Sequence, residues 1–126
     1  MIGEVSAFTS PHIIAECIHK VMLLEASQQF GRSRAGLVGW LKKRPHLIQQ
    51  IRAHQIAALQ FRNLPLTIVP LDLPALELAT EVSTSHGLLT NDATIVALIC
   101  RHQITHLVTK DDDFDAIPGL TIWKPR

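Results

Sequence analysis

Cysteine is almost absent from this chain of 126 residues, which holds only Cys17 and Cys100. Neither belongs to a C-x-x-C pair, and both fall inside apolar helical patterns. Two small buried hydrophobes in a reducing compartment are therefore expected, not a disulfide framework. Membrane signals are lacking as well. No apolar run approaches the roughly 20 residues that span a bilayer. The N-terminus has no basic segment followed by an apolar core, so no secretory leader is read and a cytoplasmic protein is expected. The seven histidines show neither H-E-x-x-H nor a paired spacing, and no Cys/His cluster exists, so no zinc site is expected. There is no G-x-S-x-G elbow, no Walker lysine loop and no G-x-G-x-x-G. Internal repeats and low-complexity segments are also missing.

Acids are scarce through the middle of the chain. From Lys20 to Arg62 there are eight Lys/Arg and one acid, Glu25. From Asn63 to Arg126 the balance reverses, with four Lys/Arg against eight acids. The net charge of +1 thus conceals a basic middle and an acidic C-terminal half. Apolar content of 47% and the length together predict one globular domain spanning residues 1–126.

In chain order, Val5 to Thr9 leans towards strand. Ser10-Pro11 opens a helix with an N-cap and a proline in the first turn. Ile13, Ile14, Cys17, Ile18, Val21 and Leu24 form its apolar stripe, and Gly31 stops it. Glu16 lies off the centre of that stripe, as a solvated acid or a functional one. A second helix is predicted from Ser33 to Lys43, carrying Leu37, Val38, Trp40 and Leu41. A third is predicted from Leu47 to Phe61, anchored by Ile48, Ile51, Ile56 and Leu59. Arg32, Arg34, Lys42, Lys43, Arg44, Arg52 and Arg62 decorate this hairpin. With almost no acids interleaved, surface i,i+4 pairing does not account for them.

Leu66 to Leu71 is predicted as a strand, with Pro70 marking an edge near its end. Pro74 starts a helix with Leu76, Leu78, Ala79 and Val82 at helical spacing, and Gly87 ends it. A buried apolar helix follows from Ala93 to His102, then a strand from Thr105 to Thr109, an acidic turn, the Pro118-Gly119 turn and a strand from Leu120 to Trp123. Strands alternating with helices predict a parallel sheet.

Two junctions of the last stretch are acidic. Asp92 stands where the apolar helix begins, as an N-cap or first-turn acid or a functional one. Asp111, Asp112 and Asp113 stand where the strand ends, as a common acidic turn or a functional one. In open α/β sheets ligands bind beyond the carboxyl ends of the strands, and both junctions can lie at that edge. Carboxylates gathered there repel unless protonated or bridged by a cation. An all-oxygen site suits Mg²⁺ or Mn²⁺. Without a nucleotide loop, the chemistry that fits is hydrolysis of a phosphate ester by metal-activated water. The basic hairpin would hold the polyanion. A phosphotransfer domain would need an early acid pair and a suitably placed lysine, and neither is evident.

These residues carry a resemblance. T-N-D ahead of an apolar helix, then H-L-V-T-K-D-D-D-F ahead of P-G-L-T, resembles the C-terminal half of PIN-domain ribonucleases, most of all toxins of VapC type. F-T-S-P-H-I-I-A-E, residues 8 to 16, resembles the segment carrying that family's glutamate, and the basic hairpin with K-K-R-P is also similar. The resemblance implies a three-layer α/β/α fold with a mainly parallel sheet and a helical-hairpin insertion. It implies that Glu16, Asp92 and Asp111 are metal-site acids, with Asp113 as an auxiliary acid and Thr109 as a hydroxyl near the metal. Asp112 and Asp115 do not align with the family's acids and read as surface charge. Thr109, Arg32, Arg34, Lys42, Lys43 and Arg44 become candidate RNA contacts.

The expected activity is metal-dependent endonucleolytic cleavage of RNA, with a cognate antitoxin and a homodimer as partners. One departure bears on this. The family's domain opens with an apolar strand ending in an aspartate, and this sequence starts at Met1-Ile2-Gly3, just ahead of the second strand. An N-terminally incomplete domain that lacks the first strand and its aspartate is therefore expected. That makes a non-catalytic PIN-like module, binding protein or RNA without cutting it, the alternative.

Overall fold

The protein is described by a computed structural model covering residues 6–125. The expected strand start at Val5, and Met1-Ile2-Gly3 ahead of it, lie outside the described residues. The chain divides into two compact units, one up to Pro70 and one from Leu71.

The first unit runs β1 (Ala7–Thr9), α1 (Pro11–Phe30), α2 (Leu37–Lys42), α3 (Pro45–Ile48), α4 (Ala53–Arg62) and β2 (Leu66–Ile68). β1 and β2 pair in parallel, with Phe8 opposite Thr67, as the alternation of strands and helices predicts. α1 begins where Ser10 and Pro11 place it. Ser10 is the N-cap in extended backbone, but its hydroxyl does not cap the helix and meets His12 Nδ1 at 2.7 Å instead. α1 ends at Gly31, whose φ of 63° is open to glycine at little cost.

The core of this unit is Ala26, Leu37, Leu41 and Ile51, with Leu23, Phe30, Trp40 and Ile48 packed around it. Three expectations need correction. Cys17 is exposed, Leu24 is 46% exposed, and only Ala26 of α1 is fully buried. Periodicity places residues on one face of a helix, but burial needs a partner across that face, and the core forms on the C-terminal half of α1. The second predicted helix starts four residues late, because a turn from Arg34, closed by the Leu37 amide on the Arg34 carbonyl at 3.2 Å, passes through Gly36 with φ 69°.

The third predicted helix is broken into α3 and α4. Across the break Ile51 is completely buried. The amides of Arg52 and Ala53 donate to the Glu25 carboxylate, at 3.2 Å and 2.8 Å. Ile56 and Leu59, expected as anchors, are 58% and 60% exposed.

The second unit runs α5 (Leu73–His86), α6 (Thr90–Arg101), β3 (His106–Val108) and β4 (Thr121–Trp123). Asp72 caps α5 by accepting the Ala75 amide at 3.0 Å. It also pairs with Arg101 at the far end of α6, at 2.6 Å. Gly87 closes α5 with φ 69°. The core joins Ala79 and Val82 of α5 to Ala93, Val96 and Ala97 of α6, with Phe114 among them. Small residues on both helices let their backbones approach closely.

α6 is buried along most of its length, from Ala93 to Ile99 except Ile95, which is partly buried. Cys100, expected to be buried, is exposed because it falls in the last turn beyond that contact. β3 and β4 pair in parallel, with Leu107 opposite Ile122. Parallel neighbours need a crossover of about a dozen residues, usually helical. Here residues 109–120 cross over through turns alone.

Candidate metal centre

Asp92 comes from the first turn of α6, so it is a first-turn acid and not the N-cap. The helix starts at Thr90, three residues before the predicted Ala93, behind an N-cap, Leu89, that has no polar side chain. Thr94 steadies this turn by donating its hydroxyl to the Thr90 carbonyl at 2.7 Å. The free amides and dipole at a helix start favour a carboxylate there.

Asp111 and Asp113 come from the crossover after β3. Two features fix its course. The Asp111 amide donates to Thr109 Oγ1 at 3.1 Å, closing a short turn at the strand end. Phe114, 1% exposed, pins the middle of the crossover into the α5–α6 core.

The outcome is convergence. Asp92, Asp111 and Asp113 each offer a carboxylate oxygen, and the three oxygens lie within 4.8 Å of one another. Asp92 is half-buried and the other two are exposed. Two oxygens on opposite sides of a Mg²⁺ ion, each at about 2.1 Å, are roughly 4.2 Å apart. The three carboxylates therefore stand close to the separations that one hard cation requires. The donor set is all oxygen, without sulfur or imidazole, which suits Mg²⁺ or Mn²⁺ and not zinc.

The crossover carries two further acids, and they face a different charge. Lys124, just past β4, donates to the Asp111 carbonyl at 2.5 Å and to Asp112 Oδ1 at 3.1 Å. It also lies 3.2 Å from Asp115 Oδ1. Partial desolvation works to lower the Lys124 pKa, but Asp112 and Asp115 outweigh it and hold the pKa above 10.5. The four aspartates thus sort into two sets. Asp111 and Asp113 join Asp92, while Asp112 and Asp115 neutralise Lys124. Sequence reasoning treated these last two as plain surface charge and passed over Lys124. Its role follows from the parallel register: with Val108 opposite Trp123, Lys124 follows β4 alongside the start of the acidic turn.

The remaining expected site residues belong to the first unit. Glu16 is exposed on α1, one turn after His12. Burial pulls the His12 pKa below 6.5, and the Glu16 carboxylate works in the opposite direction. Arg32, Arg34, Lys42, Lys43 and Arg44 are carried by α2 and the turns flanking it, and all but half-buried Arg44 are exposed.

Residues 2–120 match the family described as PIN domain. No curated protein and no solved structure matches the chain significantly.

Proposed function

The chain belongs to the PIN-domain family, whose fold is of nuclease type, and we propose that it is a divalent-metal-dependent endoribonuclease of the toxin kind. The observation supporting this is the convergence of three carboxylates, from two junctions some twenty residues apart, on a cation-sized separation.

In this reading Asp92, Asp111 and Asp113 hold one Mg²⁺ or Mn²⁺ ion, and Glu16 is a further acid needed for activity. The chemistry such an ion supplies is activation of water and stabilisation of negative charge on the phosphate. The Thr109 hydroxyl, by accepting the Asp111 amide, holds the backbone of the turn that carries Asp111. Arg32, Arg34, Lys42, Lys43 and Arg44 draw in the RNA backbone. A cognate antitoxin and a second copy of the chain are the partners that accompany a toxin role.

The test is cleavage of an end-labelled single-stranded RNA by wild type and by Asp92→Asn, with Mg²⁺, with Mn²⁺ and with EDTA. Internal cleavage is expected only in the wild type with metal. Cleavage that persists in Asp92→Asn or in EDTA contradicts the proposal.

A further inference from the structure

The first unit holds two guanidinium groups against one indole. Arg32 Cζ lies 4.6 Å from the centroid of the Trp40 ring and Arg44 Cζ lies 4.5 Å from the same centroid. Trp40 is itself fixed, because it packs against the Ala26–Leu37–Leu41–Ile51 core and tilts against Phe30 with ring centroids 6.0 Å apart.

Arg32 is also held at its backbone and Arg44 at its guanidinium. The Arg32 amide donates to the Ser27 carbonyl at 3.1 Å, and the Arg32 carbonyl accepts the Ser27 hydroxyl at 2.5 Å. Arg44 Nη1 donates to the Trp40 carbonyl at 3.0 Å. The aromatic ring attracts each cation, so two like charges stand within one Debye length of each other, about 10 Å at 0.1 M salt.

Among the described residues nothing acidic pairs with them. Glu25, the one acid between Lys20 and Arg62, is occupied by the amides of Arg52 and Ala53. A guanidinium has five N–H donors in a rigid fork. Among the described residues only one of these donors, on Arg44, bonds to the chain, so most of both forks is left for an outside acceptor.

We propose that Arg32 and Arg44, braced on Trp40, form a clamp for the phosphodiester backbone of single-stranded RNA. Each arginine contacts one phosphate, and Arg34, Lys42 and Lys43 continue the cationic track beside it. Planar forks held in place suit bidentate recognition of phosphate oxygens. A track of cations without interleaved acids fits a ligand that is ionised at every repeat. The inference deepens the nuclease reading and rests on it.

The test is binding of fluorescein-labelled U12 RNA in EDTA, followed by anisotropy across a series of salt concentrations. Each phosphate contact to a single strand contributes about 0.7 to the slope of log K against log salt. Removing both contacts in Arg32→Gln/Arg44→Gln is expected to reduce that slope by about 1.4, and each single substitution by about half as much. Arg32→Lys/Arg44→Lys keeps both charges and should retain most of the slope, which separates loss of phosphate contact from loss of folding.

An unchanged slope in a variant that still melts cooperatively overturns the clamp. So does a result in which the pair governs binding of a labelled poly-glutamate peptide while RNA binding is indifferent to it, since that would mark a protein-binding surface. Because EDTA removes cleavage from the measurement, the two readings fail separately. A reduced slope without any cleavage in metal refutes only the nuclease proposal, and an unchanged slope with cleavage refutes only the clamp.

Discussion

Lys124 Nζ stands 3.1 Å from Asp112 Oδ1, on the same crossover whose neighbouring acids, Asp111 and Asp113, turn towards Asp92. One lysine thereby separates two groups of carboxylates that the sequence runs together. It pairs with both acids outside the candidate metal centre and, through the Asp111 carbonyl, ties down the backbone of one acid inside it. Groups that orient metal ligands from behind typically change metal affinity by 10–100-fold when lost. Lys124→Gln is expected to weaken Mn²⁺ binding, measured by isothermal titration calorimetry, by about tenfold. Lys124→Arg should recover most of it.

Phe114 supports the same crossover from within. Replacing a fully buried phenylalanine by alanine costs about 3–5 kcal/mol. Phe114→Ala should lose about that much stability in urea unfolding, and its folded fraction should bind Mn²⁺ more weakly than wild type. A variant that is less stable but binds metal normally would limit Phe114 to packing.

Glu25 and α4 supply a prediction for the first unit. The N-cap of α4, Arg52, makes no side-chain cap, and the Glu25 carboxylate takes the Arg52 and Ala53 amides in its place. Loss of a helix cap costs about 1–2 kcal/mol. Glu25→Ala should therefore lower unfolding stability by roughly that amount, with a smaller loss for Glu25→Gln, which keeps an acceptor oxygen.

Asp72 predicts a pH dependence. The hydrogen bond from Arg101, then that from the Ala75 amide, hold its pKa below 3.8 in the folded protein. A carboxylate with a lowered folded pKa contributes stability above its unfolded pKa and loses it as pH falls through the folded value. Asp72→Asn keeps a competent cap and removes only the charge. The gap in melting temperature between wild type and Asp72→Asn should be constant from pH 7 to about 5 and close progressively below pH 4.

How far the sequence reveals this structure depends on how local each cause is. The ends of α1 and α5 are legible because Pro11, Gly31, Pro74 and Gly87 act on their own stretch of backbone. The two acidic junctions are legible because an apolar helix begins beside Asp92 and an apolar strand ends beside Asp111. The break between α3 and α4 is hidden, since the group that accepts its amides is Glu25, more than twenty residues earlier in the chain. The role of Lys124 is hidden for the same reason, as it emerges only once β4 lies parallel to β3. The exposure of Cys17, Ile56 and Leu59 is hidden because helical periodicity does not say whether anything covers the face it defines.

The central claim is that Asp92, Asp111 and Asp113 together hold one divalent cation, and Mn²⁺ binding followed by electron paramagnetic resonance tests it most directly. Wild type is predicted to take up one Mn²⁺, and Asp92→Asn and Asp111→Asn each to lose at least a hundredfold in affinity while remaining folded. Equal Mn²⁺ uptake by wild type and both variants would contradict the account.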